Sequence, residues 1–142
     1  MEPLYVAHAV SSGAGRDGHV ATDDGLVDLD LAVQKELGGP GGKTNPEQLF
    51  AAGYAACFHS ALQAVARAAK VDLGASTVEA SVGIAKEGEG FALNAILEVA
   101  TPGAPRETAE GLVAKAHEVC PYSNATRGNI VVEIDLVQTA DN

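Results

Sequence analysis

The chain has 142 residues, a hydrophobic fraction of 46% and a formal net charge of -10 at pH 7. Its length suits one domain with its own core, so we expect a single domain over residues 1–142. With 19 acidic against 9 basic residues, it has no basic block that could neutralise a row of phosphates, which argues against a nucleic-acid partner.

The start of the chain lacks the pattern of a signal peptide, and Gly, His, Gln and Arg interrupt the most apolar segment, residues 49–69. We therefore expect a soluble, cytoplasmic protein without a membrane span.

The first part of the chain is predicted to form an antiparallel meander. Between Leu4 and Leu31, short apolar segments are separated by turn-forming residues, SSGAGRDG at 11–18 and DDG at 23–25. After the second turn, aliphatic residues at 27, 29 and 31 alternate with aspartates at 28 and 30, which is the period of a half-buried strand.

The longest periodic segment follows a glycine-rich loop, GGPGGKTNPE at 38–47. Asn45 is a suitable N-cap, Pro46 suits the first helical position and Gln48 completes a capping box, so we predict a helix from Pro46 to about Lys70. It is apolar on most faces and has several small residues, which favours a central helix closely approached by its neighbours. The GGKT sequence is similar to a phosphate-binding loop, but the position of that motif's first glycine is Leu37, so we reject nucleotide binding.

The second part of the chain is predicted to contain two strands, then a helix and a last strand. Two strands, near Val78–Lys86 and Phe91–Ala100, flank the turn EGEG, and TPGAP precedes a helix that starts near Arg106 and is limited by Pro121. A last strand from Ile130 to Val137 alternates aliphatic and acidic residues. Strands grouped before and after two helices predict the α+β class.

The two cysteines, Cys57 in the first helix and Cys120 at the end of the second, are the main candidates for chemistry. Two thiols do not make a disulfide framework, so they are open to three interpretations: core residues, metal ligands or redox centres. His117 lies three positions before Cys120, and these two with Cys57 would form an incomplete zinc site without a close Cys-x-x-Cys pair. His59 points about 200° around the helix from Cys57, which makes it a poor base for that thiol.

Cys57 needs a cation if it is to ionise, because it lies about three turns from the positive end of its helix. Arg67 is roughly 15 Å further along the same helix and is too distant. Arg16, on a turn flanked by glycines, is better placed. Arg16 could equally be a solvated turn residue, and Glu47 could simply favour the positive end of its helix.

The segments TNPEQLFAAGYAACF (44–58) and CPYSNATRGNI (120–130) resemble the two signature segments of the organic hydroperoxide resistance branch of the Ohr/OsmC family. The strand order, the GRDG turn, the ELGG loop and the spacing of the cysteines match as well, so the resemblance covers nearly the whole chain. His59 and Asn94 depart from it. The resemblance implies an intertwined α+β homodimer, in which antiparallel sheets wrap two long central helices and the active sites lie at the subunit interface.

The resemblance also implies a reaction. Cys57 would be the peroxidatic thiol, Cys120 the resolving thiol that closes a disulfide with it, and Arg16 and Glu47 the pair that activates Cys57. The matching members reduce alkyl and fatty-acid hydroperoxides through a cysteine sulfenic acid, and are reduced by dihydrolipoamide or a lipoylated protein. They bind no metal, flavin or haem. The alternative is a non-catalytic stress-response or binding member of the wider family.

Two further expectations come from the first helix. Small and apolar residues surround Cys57, which favours an organic peroxide over hydrogen peroxide. Glu47 and Cys57 are about 15 Å apart along a straight helix, so contact within one chain needs a long arginine bridge or a break near Gly53. An antiparallel partner helix would remove this difficulty. We therefore predict that each site draws on both subunits.

Overall fold

The computed structural model describes residues 1–141, which group into two compact units, Met1–Leu49 and the residues from Phe50 onward. The first unit holds three strands, β1 (Ala9–Ser12), β2 (His19–Thr22) and β3 (Asp28–Asp30). They form an antiparallel sheet in the order β1-β2-β3, which confirms the predicted meander. Gly13 and Gly15 adopt φ values of +74° and +65° in the first turn, a conformation that glycine adopts without steric cost.

Helix α1 (Pro46–Ala68) begins at the predicted residue. The Gln48 N–H donates to Asn45 Oδ1 at 2.9 Å, and the Asn45 N–H donates to Gln48 Oε1 at 3.2 Å. This is the expected capping box, which satisfies two of the unpaired donors at the helix start. The helix ends two residues before Lys70, which adopts the left-handed conformation (φ 58°) that commonly closes a helix.

The elements that follow α1 are β4 (Thr77–Glu87), β5 (Gly90–Thr101), α2 (Arg106–Val119), α3 (Pro121–Thr126) and β6 (Val131–Thr139). The three strands form a sheet in the order β4-β5-β6. The two predicted strands β4 and β5 pair antiparallel, whereas β6 pairs parallel to β5, so this sheet is mixed. The short helix α3 was not predicted, because Pro121 ends α2 and also occupies the first position of the new helix.

The core of this unit lies between the helices and one face of the sheet. Helix α1 contributes residues spaced four apart, and β5 contributes every second residue, as the two periodicities require. Asn94 lies on the other face of β5, and its Oδ1 would be 2.3 Å from a Cβ atom on Gly83. The polar Asn94 therefore packs over the glycine opposite it. The buried residues are Tyr54, Phe58, Leu62, Ala66, Ala95, Leu97 and Val99, with Ala109, Leu112 and Ala116 of α2.

Among the described residues, α1 is the one helix long and apolar enough to cross a membrane by length and composition, although the sequence pattern predicted no such span. A core helix meets the same criterion. Tyr54, Phe58 and Leu62 are fully buried in the core of the second unit, which is the position of such a helix.

Candidate active site

The two cysteines, although 63 residues apart in the sequence, are neighbours in the structure. The Sγ atoms of Cys57 and Cys120 lie 3.5 Å apart, and both residues are free thiols. Cys57 is half-buried on α1, whereas Cys120 is fully buried. An S–S bond measures about 2.05 Å, so a small movement of either side chain would close a disulfide.

Cys120 lies at the junction of α2 and α3. Its N–H donates to Ala116 O at 2.9 Å at the end of α2, and its Sγ accepts the Ser123 N–H at 3.5 Å as the N-cap of α3. The thiol is therefore held by the start of α3.

The pKa of Cys57 is raised above its ordinary value. Burial raises it most, the backbone N–H of Tyr122 lowers it by donating to the sulfur, and the adjacent Cys120 raises it further. Burial disfavours the thiolate because the charged form loses its hydration. A cation beside the sulfur would be needed to make this thiol nucleophilic at neutral pH.

Three aromatic rings, two from α1 and one from α3, form a cluster. Phe50, Tyr54 and Tyr122 have ring centroids 5.8 to 6.3 Å apart, in edge-on or tilted arrangements that aromatic pairs favour. The Tyr122 phenol lies against Gly53, where a Cβ atom would be 2.8 Å from the hydroxyl oxygen. The glycine in the middle of α1 thus provides the space for this ring.

Arg16 and Glu47 form a bidentate pair within the first unit. The two terminal nitrogens of Arg16 donate to the two carboxylate oxygens of Glu47, each at 2.8 Å. Gln34 Nε2 also donates to Glu47 Oε2 at 2.8 Å. The Arg16 hydrogen bonds are the main cause that lowers the pKa of Glu47 to about 2. The carboxylate in turn raises the pKa of Arg16, so this ion pair is fully charged at neutral pH.

Two histidines, His59 and His117, have other surroundings than the cysteine pair. His59 Nε2 lies 2.9 Å from Ser76 Oγ and 3.3 Å from Gln63 Nε2, so the unexpected histidine binds a loop serine. The pKa of His117 is lowered by burial and by Arg127, and its Nδ1 is buried without a partner. No three metal-ligating side chains converge anywhere in residues 1–141, so Cys57, Cys120 and His117 do not assemble the zinc site considered above.

Known proteins resemble this chain over nearly all of its length. The family of OsmC-like proteins matches residues 39–135. The organic hydroperoxide resistance protein of Xanthomonas axonopodis pv. citri is 51% identical over 135 residues, which cover 94% of each chain. The chain belongs to the organic hydroperoxide resistance (Ohr) branch of the OsmC-like family.

Two other Ohr proteins support the assignment. The organic hydroperoxide resistance protein OhrB of Bacillus subtilis is 45% identical over 137 residues, covering 94% of this chain and 98% of the relative. The crystal structure of an organic hydroperoxide resistance protein from Legionella pneumophila superposes with a TM-score of 0.91 at 51% identity, covering 97% of this chain and 98% of the other. The predicted α+β fold of this family is thereby confirmed.

Some residues that contact the Arg16–Glu47 pair or pack near the thiols gave no recognisable signal in the sequence. Gln34 lies in a loop after β3, and a lone glutamine there has no motif. From the sequence, Tyr54 looks like an ordinary core residue and Ser123 like an ordinary turn residue. Tyr122 could have been suspected from its place directly after Cys120 and Pro121.

Proposed function

We propose that this protein is a thiol peroxidase that reduces organic hydroperoxides. The observation that carries the proposal is the pair of free thiols, Cys57 half-buried and Cys120 fully buried, with sulfur atoms 3.5 Å apart. A more accessible thiol beside a buried one suits a cycle in which the accessible thiol reacts with the peroxide and the buried thiol then forms a disulfide with it.

The first step is attack by the Cys57 thiolate on one oxygen of the peroxide. The O–O bond breaks, the attacked oxygen stays on sulfur as a sulfenic acid, and the other oxygen takes a proton and leaves as an alcohol. A fixed positive group would favour the thiolate and would also stabilise the leaving oxygen.

Arg16 is the group we assign to that role. Its guanidinium is held by Glu47 through two of its N–H groups, which leaves other N–H donors for a thiolate or a peroxide oxygen. A lysine offers no planar fork and could not be oriented in this way. Glu47, held in turn by Gln34, would fix the direction in which the guanidinium points.

The second step joins the two sulfurs. The Cys120 thiol displaces the hydroxyl of the Cys57 sulfenic acid, a disulfide forms and water is released. This closure protects Cys57 from irreversible oxidation to the sulfinic acid. We assign re-reduction of the disulfide to dihydrolipoamide or a lipoylated protein, as the family resemblance implies.

The surroundings of the thiols favour an organic substrate. Phe50 and Tyr122 present edge-on aromatic rings near them, and Ala51 and Ala55 are half-buried on α1. Tyr54 is fully buried behind these two rings and does not face the substrate. Apolar walls favour the alkyl part of a hydroperoxide, such as a fatty-acid hydroperoxide, through burial of its hydrocarbon.

The working form is proposed to be a cytoplasmic homodimer. The chain exposes large apolar side chains to an extent that marks an interaction surface. An intertwined dimer would cover such residues and would let the pair Arg16–Glu47 of one subunit serve the thiols of the other. The exposed residues include Leu4 (105%), Tyr5 (78%), Val10 (70%), Phe91 (60%) and Val131 (72%).

The test is consumption of an organic hydroperoxide by the purified protein, with dihydrolipoamide compared directly with thioredoxin and glutathione. We expect turnover with dihydrolipoamide, none in Cys57→Ser, and in Cys120→Ser a single oxidation followed by sulfinic acid that mass spectrometry detects. Failure with all three reductants would instead point to a non-catalytic member of the family. Light scattering during gel filtration tests the dimer.

A further inference from the structure

A chain of buried hydroxyl groups links α1 to α3 behind the cysteine pair. Tyr54 Oη lies 2.8 Å from Ser123 Oγ and 3.1 Å from Thr126 Oγ1. Tyr54 and Ser123 are fully buried, and Thr126 is 4% exposed. These contacts join residues 69 and 72 positions apart, so they belong to the tertiary structure and not to a local turn.

The direction of each hydrogen bond in this chain follows from the number of protons. Each hydroxyl has a single proton to donate. Thr126 donates its proton to the backbone oxygen of Ser123 at 3.3 Å, so Tyr54 must donate to Thr126, and Ser123 must donate to Tyr54. All three protons are then used. Removal of the Tyr54 hydroxyl would leave the Ser123 hydroxyl without its acceptor and the Thr126 hydroxyl without its donor, although Thr126 would keep its bond to Ser123 O.

The same residues fix the resolving cysteine. Ser123 binds Tyr54 through its side chain, and its backbone N–H donates to Cys120 Sγ at 3.5 Å. Tyr54 lies three residues before Cys57 on α1, so its hydroxyl connects the helix of one thiol to the turn that holds the other. Buried polar groups of this kind are satisfied in one arrangement, which selects one position for the turn.

We propose that Tyr54 is a positioning residue for disulfide formation, which it promotes by holding Cys120 beside Cys57 through Ser123 and Thr126. The inference rests on the proposed peroxidase function and concerns its second step only. In that step the Cys120 sulfur bonds to the Cys57 sulfur, the S–O bond of the sulfenic acid breaks, and the hydroxyl leaves as water with the Cys120 proton. Tyr54 exchanges no atom or electron in it.

The two steps are separated in a single-turnover experiment. Reduced protein is mixed with one equivalent of tert-butyl hydroperoxide, and sulfenic acid and disulfide are quantified over time by trapping with a cyclic dione and by mass spectrometry. In Tyr54→Phe we expect loss of the peroxide at a rate within about twofold of the parent, but disulfide closure slower by roughly tenfold, the size expected for loss of a buried hydrogen bond. More trapped sulfenic acid and more sulfinic acid at excess peroxide should accompany it.

A pair of matched threonine substitutions separates positioning from general destabilisation. Thr126→Val removes a hydroxyl of the network, whereas Thr101→Val removes another buried hydroxyl, which donates to Gln138 O at 3.4 Å between β5 and β6. We expect slower closure in Thr126→Val, closure at the parent rate in Thr101→Val, and recovery in Thr126→Ser. This comparison also carries the test if Tyr54→Phe does not fold.

The outcomes distinguish the inference from the function on which it rests. If the parent protein is not oxidised at Cys57 by the hydroperoxide, the proposed function fails. If the parent forms its disulfide normally and Tyr54→Phe and Thr126→Val close as fast as Thr101→Val, the peroxidase stands and the positioning role of Tyr54 is wrong.

Discussion

Arg16 and Glu47 are joined by two hydrogen bonds of 2.8 Å, although 31 residues separate them in the sequence. The Glu47 side chain is 10% exposed and the Arg16 side chain 38%, so the arginine is the more accessible member of the pair. The buried carboxylate fixes the orientation of the guanidinium and leaves part of the arginine accessible. An oriented cation of this kind stabilises negative charge that develops during a reaction.

We expect Arg16→Lys to slow reduction of an organic hydroperoxide by about a hundredfold, because lysine keeps the charge but loses the bidentate geometry. The second-order rate constant for oxidation of Cys57 is the quantity to measure. Arg67→Lys, at an exposed position near the end of α1, is the matched control and should match the parent protein. Equal rates in the two variants would remove Arg16 from the mechanism.

The ion pair should make stability depend on pH in the acid range. The pKa of Glu47 is lowered from 4.5 to about 2, mainly by Arg16, so the folded state favours the charged carboxylate. Its contribution to stability is fully present above pH 4.5 and is lost as the pH falls toward 2. Urea unfolding of the parent and of Glu47→Gln should differ most near neutral pH, and the difference should shrink on acidification. In Arg16→Met this pH dependence of stability should disappear. If the pH dependence persists in Arg16→Met, groups other than this ion pair cause it.

Gly53→Ala should separate stability from activity. Alanine favours a helix interior by up to about 1 kcal/mol over glycine, but its Cβ would lie 2.8 Å from the Tyr122 hydroxyl oxygen. Because Tyr122 is 39% exposed, its ring can swing out, so we expect unchanged or higher resistance to urea together with slower peroxide reduction.

Gly111→Ala is the control for that substitution. Gly111 lies on α2, and nothing lies within 4 Å of a Cβ placed there, so the same gain in helix stability should leave the peroxide kinetics unchanged. Parent-like kinetics in Gly53→Ala would show that the position of the Tyr122 ring does not matter for the reaction.

A mixed dimer tests whether each site draws on both subunits. Arg16→Ala and Cys57→Ser subunits, carrying different affinity tags, are produced together and the heterodimer is purified. If Arg16 serves the partner's thiols, one of the two sites regains both groups and the heterodimer should show about half of the parent activity. If Arg16 serves its own chain, both sites stay defective and the heterodimer is inactive.

The sequence by itself determined most of the local elements and singled out the two cysteines that we propose to react. The start of α1 followed from Asn45, Pro46 and Gln48, whose signals act within a single turn. The strands followed from alternation between neighbouring residues, and the cysteines from their segments. In α3 the same kind of reasoning failed, because Pro121 can both end one helix and begin the next.

Only the tertiary structure decided which distant residues meet. It placed Cys120 within 3.5 Å of Cys57, closed Arg16 onto Glu47, added Gln34 to that pair and joined Tyr54 to Ser123. It also set β6 parallel to β5. Such contacts depend on how whole elements pack and on the need of each buried polar group for a partner, and neither condition is recorded in any short stretch of the chain.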